Sequence, residues 1–385
     1  MTGRFFGPKE ANVVSVAIRS LARDEFDSFF RFLERCYGHS YGFFPRAYPD
    51  LYTPDVQSLD RFVVAVEDGA IVSHVGAFPM AVWAGPARIS CCGIGGVATL
   101  PEARGKGHMT HLMSETLRRM RARGESLSIL WGDRQRYGHF GYETCGLKTV
   151  LTLTLRSLSQ SGVRAVAMQE VNPLDPKVVA HIQGLQGLAP FRVERPRLDL
   201  TLARQGVRAF VCDDGYLLAR HESRDLEVQE VVSASGNEPG MLLGALQRSF
   251  GGRATIEVAS MQDKAAQRLA RGASGWRMAP QGMMRVVDWP LLASSLKAAL
   301  EQNAAHVKPF SVSVGCEGED GVEWATIQWN GESLEVSQGR RADETYKLGP
   351  GELAAHLFGG ACGDDLGALS TLLPLAFHIP KLDDV

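Results

Sequence analysis

The stretch from Gly95 to Gly124, GGVATLPEARGKGHMTHLMSETLRRMRARG, constrains the fold more than any other part of the chain. An apolar run of β type ends at Val97-Ala98-Thr99. A proline follows, then Arg104-Gly105-Lys106-Gly107. Beyond that, Met109, Leu112, Met113, Leu117 and Met120 recur at helical spacing and predict one buried stripe. Gly124 suits the left-handed residue past the helix end. A helix N-terminus leaves several N–H groups unpaired and carries partial positive charge. Glycines let the backbone approach an anion closely, and Arg104 and Lys106 add charge. The loop therefore suits a phosphate or pyrophosphate. The alternative is a tight strand-to-helix turn with solvated basic residues. A Walker loop is excluded because Gly107 follows Lys106 where Ser or Thr is required. A dinucleotide fingerprint is excluded because Thr110 stands at its third glycine.

The neighbouring segments predict mixed α/β structure. VVSVAIRSL reads as a strand and ARDEFDSFFRFLERCYG as a helix. RFVVAVEDGAIVSHVGAF reads as a hairpin about Asp68-Gly69, and ARISCCGIGGVATL as the next strand. SLSILWGD is a further strand, RQRYGHFG a short helix, and YETCGLKTVLTLTL another strand. An antiparallel meander comes first, unlike the alternating pattern of a Rossmann domain. A weaker echo of this order follows residue 156: a strand in VRAVAMQEV, a helix over 176–188, a hairpin about Asp214-Gly215, and a helix in MLLGALQRSF. No counterpart of the 104–107 loop lies between Val232 and Met241. A third unit begins near MMRVVDWP, where Asp288 caps a helix that has Pro290 in its first turn. It continues with strands in FSVSV, EWATIQW and SLEVSQ, and a helix in GPGELAAHLFGG. The expected domains are 1–155, 156–282 and 283–385, in keeping with a chain of 385 residues.

Composition narrows the partners. A net charge of −2, with 45% hydrophobic and 22% charged residues, describes a soluble globular chain with no bulk attraction to nucleic acid or membrane. MTGRFFGPKEANVV lacks a signal-peptide core. Seven scattered cysteines without a CxxC pair suit a reducing compartment, so a cytoplasmic protein is expected. Cys91 and Cys92, adjacent on a strand, point to opposite faces and are no redox pair. His108 and His111 lack a third ligand, so no metal is expected. The aromatic residues Phe29, Phe30, Tyr37, Tyr41, Phe43 and Phe44 predict core together with a wall beside the site.

GVATLPEARGKGHM resembles the Arg-x-x-Gly-x-Gly/Ala passage of the GNAT acyltransferases, with Met109 departing from the usual Gly or Ala. RYGHFGYE, together with the three-unit plan, MMRVVDWP and the closing FHIPKLDDV, is similar to the Eis-like (enhanced intracellular survival) acetyltransferases. The resemblance implies tandem GNAT folds, the second degenerate, followed by a sterol carrier protein-like α+β domain. It implies acetyl-CoA as cosubstrate and transfer of its acetyl group to an amine acceptor, a small molecule or a peptide. Cofactor-binding positions carried over are Val97, Ala98 and Thr99 at the strand edge, Arg104, Gly105, Lys106, Gly107, His108, Met109 and Thr110 in the loop and helix start, and Gly132 and Asp133 after the next strand. Tyr137 would be the general acid and the terminal carboxylate of Val385 the base, with Asp383 and Asp384 in reserve. A homo-oligomer, with a hexamer as the expected size, is implied as well. The apolar run LLPLAFHIP predicts that the tail docks. The rival from another class is a non-catalytic protein that binds CoA or carries a lipid.

Overall fold

The computed structural model describes residues 16–385 apart from 55, 223, 224, 262, 319, 320, 362 and 364. The first unit contains β1 (Val16–Ser20), β2 (Phe62–Glu67), β3 (Ala70–Ala84), β4 (Ala87–Thr99), β5 (Leu127–Leu130) and β6 (Glu143–Thr154). Its helices are α1 (Phe26–Tyr37), α2 (Phe43–Ala47), α3 (His108–Ala122) and α4 (Arg134–Tyr137). Val13 to Ser15 of the first expected strand, and residues 1–12, lie outside the described residues. The β2–β3 hairpin turns at Asp68 (φ 48°) and Gly69 (φ 81°), the paired left-handed conformation that matches strand twist.

The second unit contains β7 (Gln169–Val171), β8 (Phe191–Val193), β9 (Arg208–Cys212), β10 (Gly215–Glu222), β11 (Asp225–Ser233), β12 (Arg253–Val258) and β13 (Ala273–Val286). Its helices are α5 (Leu155–Gln160), α6 (Pro176–Leu185), α7 (Leu198–Leu202), α8 (Glu238–Ser249) and α9 (Lys264–Ala270). The third has α10 (Trp289–Asn303), β14 (Phe310–Gly318), β15 (Gly321–Trp329), β16 (Leu334–Gln338), β17 (Thr345–Leu348) and α11 (Pro350–Phe358). Asp288 caps α10 by accepting from the Leu291 N–H, as its sequence predicts.

The first two units share one 13-stranded sheet, ordered β1-β2-β3-β4-β5-β13-β6-β12-β11-β10-β9-β7, with β8 paired to β3. The strand β13 carries the junction. Met283 to Val286 pair with β5, while Ala273 to Met284 pair with β6. The position 282/283, where the third unit was expected to begin, falls inside this strand. Pro280 and two glycines hide it from sequence patterning. The four strands of the third unit form a separate sheet, β16-β15-β14-β17.

One sequence expectation changes. The strand expected over 163–171 shortens to β7, because the preceding residues lie against α8. The Val166 N–H donates to Gly240 O at 2.9 Å, and a Cβ on Gly244 would stand 1.9 Å from Val166 O. The first-unit sheet is covered on both faces. Cys91 joins Ile89, Leu127, Trp289 and Leu296 in one core, whereas Cys92 joins Ile94, Leu112 and Phe62 in another. The two adjacent cysteines therefore face opposite layers, and the near-continuous apolar character of β4 follows from that double burial.

Two buried histidines make the fold sensitive to acid. His74 on β3 is fully enclosed, its Nδ1–H donates to Gly96 O at 2.8 Å, and burial lowers its pKa to about 4. His378, whose Nδ1 lies 2.9 Å from Gln281 Oε1, is lowered to about 3, again mainly by burial. Between these values and the unfolded pKa of about 6.5, the unfolded chain binds more protons than the native one. Stability present above pH ~6.5 is therefore lost as pH falls, by about 2 kcal/mol for each histidine between pH 7 and 5. Urea unfolding at the two pH values should show this loss, and His74→Asn, which keeps a donor, should show a shallower one. Asp384, raised to about 7 by burial, gains stability over the same window, so the contrast between the unaltered chain and His74→Asn is the readout, and an equal loss in both would contradict the assignment.

Candidate active site

The parallel strands β4 and β5 pair only over Cys91–Ile94 against Leu127–Leu130. Beyond Ile94, among the described residues, no strand pairs with the β5 side of β4, and a backbone edge from Gly95 to Thr99 is left open. On the other side the β3–β4 register shifts between His74 and Gly76, a bulge that bends β4 away from β5. Gly96 sits in that bulge at φ 61°, and a Cβ there would meet the Tyr52 hydroxyl at 2.4 Å, so glycine is required. Three side chains hold the bent strand. His74 donates to Gly96 O, Ser73 Oγ donates to Ala98 O at 2.9 Å, and the Tyr37 hydroxyl donates to Val97 O at 3.0 Å. Ser73 Oγ also lies 2.7 Å from Thr99 Oγ1.

The strand then passes through the glycine loop. Gly105 (φ 78°) and Gly107 (φ 80°) are left-handed, and Gly107 is the N-cap of α3. No side chain caps that helix, so its first N–H groups face outward with the positive end of its dipole. Arg104 is exposed beside the loop, with Nε 3.4 Å from Thr99 O. Lys106 and His108 face elsewhere. Lys106 Nζ is 2.8 Å from Glu67 Oε2, and the buried His108 places Nε2 2.9 Å from Glu67 Oε1. Glu67 is held below the usual carboxylate range, first by the Lys106 hydrogen bond. Loop and helix start thus offer backbone and Arg104, while the Lys106 and His108 side chains pin the loop to β2. Met109 packs half-buried against the core, and Thr110 is exposed. A cleft of about 580 Å3 lies over this surface, lined among others by Tyr37, Val97, Thr99, Arg104, Gly107 and Arg136.

Tyr137 ends α4 and is 7% exposed. Its ring lies against Gly132, where a Cβ would meet it at 2.4 Å, and edge-on to Tyr142 with centroids 6.4 Å apart. Burial raises the phenol pKa, opposed in part by the Arg136 charge. Asp133 caps α4 by accepting from the Arg136 N–H at 2.9 Å. Gly132 and Asp133 therefore seat and orient the tyrosine. Tyr142, with its hydroxyl 2.7 Å from Ser128 Oγ, is buried in the core.

The C-terminal tail docks. Leu375, Phe377 and Ile379 enter the core shared with the third unit, Leu382 enters that of the second, and Val385 packs on that of the first. The terminal residue lies over β4, close enough that a Cβ on Gly95 would stand 2.9 Å from the carboxylate carbon of Val385. Both oxygens of Asp383 are taken by Arg195, at 2.8 and 2.6 Å, which removes it as a reserve base. Burial lifts the Asp384 carboxyl to about 7, and its nearest charges are those of Lys148, Glu257, Asp383 and Lys381. His108, His111 and Glu115 do not form a ligand set: His108 meets Glu67, and Glu115 meets Arg118 and Arg119. Tyr37, His74, Glu67 and Arg136 were not identified as site residues from sequence. Tyr37 left a trace as part of the aromatic wall and Arg136 as the first residue of RYGHFGYE, whereas His74 and Glu67 left none because they act through partners distant in the chain.

A pair of parallel strands that part beyond Ile94, a bulge and an uncapped helix behind a glycine loop offer a backbone edge and a helix N-terminus of the kind that suits a phosphate group. Residues 17–145 match the family model of the acetyltransferase (GNAT) domain. Among solved structures, a GCN5-related N-acetyltransferase from Kribbella flavida superposes with a TM-score of 0.73 at 21% identity, over 96% of this chain and 100% of its own. A probable N-acyltransferase from Enterococcus faecalis gives 0.69 at 18% identity, over 95% and 99% of the two chains. Eis1 from Mycobacterium abscessus gives 0.65 at 16%, over 94% and 97%. At these identities the likeness concerns the fold, which extends over nearly the whole chain. No curated protein sequence matches significantly. The match to a GNAT acetyltransferase domain over residues 17–145 supports acetyl transfer and not the non-catalytic carrier.

If the 105–110 backbone cradles a pyrophosphate, Gly107→Asp should weaken CoA binding by at least ~10-fold, since it adds an anion at the helix N-terminus. Isothermal titration with CoA checks this. Unchanged affinity would move the site elsewhere.

Proposed function

We propose that the protein is an acetyl-CoA-dependent N-acetyltransferase of the Eis-like kind, acting on a small-molecule or peptide amine. The observation that carries this reading is the approach of the chain terminus to the same strand, β4, whose open edge runs from Gly95 to Thr99. Aminolysis of a thioester needs a neutral amine, a polarised carbonyl and a proton for the departing sulfur. Acetyl-CoA, when bound, supplies the acetyl group as an activated thioester. The Val385 carboxylate takes a proton from the acceptor amine, whose nitrogen then bonds to the acetyl carbon. N–H groups of the 97–99 edge polarise the carbonyl. As the C–S bond breaks, the Tyr137 hydroxyl gives its proton to the sulfur. A phenol raised by burial remains protonated through neutral pH, as an acid must. Backbone amides around 105–110, with Arg104, hold the pyrophosphate.

The remaining expectations belong to the same proposal. The units 1–155, 156–282 and 283–385 are taken as the GNAT domain, its degenerate copy and a sterol carrier protein-like domain. The degenerate copy has Glu238, paired with Arg268, in the first turn of α8, which sets a carboxylate where the first unit has a glycine loop. A homo-oligomer is supported by the outward face of β13, where Trp276 is 65% and Met278 57% exposed; a monomer by light scattering would end that part. No helix among the described residues is long and apolar enough to cross a membrane, and the cytoplasm is the proposed location.

Tyr137→Phe keeps the ring against Gly132 and should lower kcat by ~10²–10⁴-fold with CoA affinity intact. Removing Val385 shifts the carboxylate by ~3.3–3.6 Å and should have a similar effect. Steady-state rates with acetyl-CoA and an amine panel, alongside CoA titrations, test both. Full activity in the truncated chain would exclude the terminus as base.

A further inference from the structure

The side chain that fixes the chain terminus comes from the second unit. Arg204 follows α7 and its side chain is 2% exposed. Its Nη1 donates to Leu382 O at 2.6 Å and to Asp384 O at 2.8 Å, so it grips the backbone on both sides of Asp383. Its Nε and Nη2 donate to the carboxylate of Asp50 from the first unit, at 2.8 and 2.9 Å. Thr201 Oγ1 donates to the same carboxylate at 3.1 Å. A planar guanidinium so divided between a carboxylate and two carbonyls has little freedom to turn.

The receiving surface is two glycines on β4. A Cβ on Gly93 would stand 2.4 Å from Val385 Cγ2, and one on Gly95 would stand 2.9 Å from the Val385 carboxylate carbon. Neither glycine has a positive φ, so the backbone does not require glycine at these positions; the space for the terminus does. We propose that Arg204, oriented by Asp50, together with the Gly93/Gly95 notch, is the positioning device that holds the Val385 carboxylate at the acyl-transfer site, so that the second unit acts in the reaction of the first. This rests on the terminal carboxylate being the base.

The test separates the two ideas. Arg204→Met removes the grip. Gly93→Ala, outside the open edge, leaves the buried ion pair intact and obstructs the seat. Carboxypeptidase release of Val385, followed by mass spectrometry, reads whether the terminus is held, whatever its chemical role. Both variants should release it at least ~10-fold faster than the unaltered chain. They should lower kcat by ~10²-fold, the scale of an ångström-sized misplacement, while leaving CoA affinity unchanged. Arg204→Lys, which keeps the charge toward Asp50 and a donor, should recover part of kcat. Faster release with undiminished kcat would support the seat and overturn the base. Unaltered release in both variants would overturn the seat itself.

Discussion

The hydrogen bonding of β13 to both β5 and β6 is the constraint on which the rest depends. A strand from one unit completes the sheet of another, so neither sheet has a free edge at the junction. The chain then leaves β13 directly into α10, whose Trp289, Leu292 and Leu296 cover the outer face of β4 and β5. That cover accounts for a β4 that is apolar on both faces.

The C-terminal tail is the second tie. Its apolar side chains enter three cores in turn, and its charges are met by buried partners: Asp383 by Arg195, Lys381 by Glu227, and two backbone carbonyls by Arg204. Buried charges are costly unless paired and hydrogen-bonded, so such a set has few alternative arrangements. The second unit, through Arg195, Arg204 and Glu227, thus serves as a scaffold for the tail.

Around the strand edge, every holding interaction is long in sequence. Tyr37 reaches Val97, His74 reaches Gly96, and Lys106 and His108 reach Glu67. Each constrains the backbone from which the acyl donor would be bound. The loop is therefore pinned by side chains whose charge in the sequence suggested direct ligand contact, and the positive end of α3 is left to its N–H groups and Arg104.

The sequence by itself determined the local chemistry. Gly105 and Gly107 before an amphipathic stripe dictated an uncapped helix, Asp68-Gly69 dictated a hairpin, and Asp288 with Pro290 dictated a helix start, because caps and turns depend on neighbours a few residues away. Adjacent cysteines on one strand had to part to opposite faces for the same reason. The apolar tail was legible as buried, though not its destination. Only the tertiary structure decided that β13 joins two units, that Lys106 and His108 turn to Glu67, and that Arg204 and two glycines seat the terminus. These contacts join residues separated by tens to hundreds of positions, and their partners are chosen by strand pairing and burial, which no local pattern encodes.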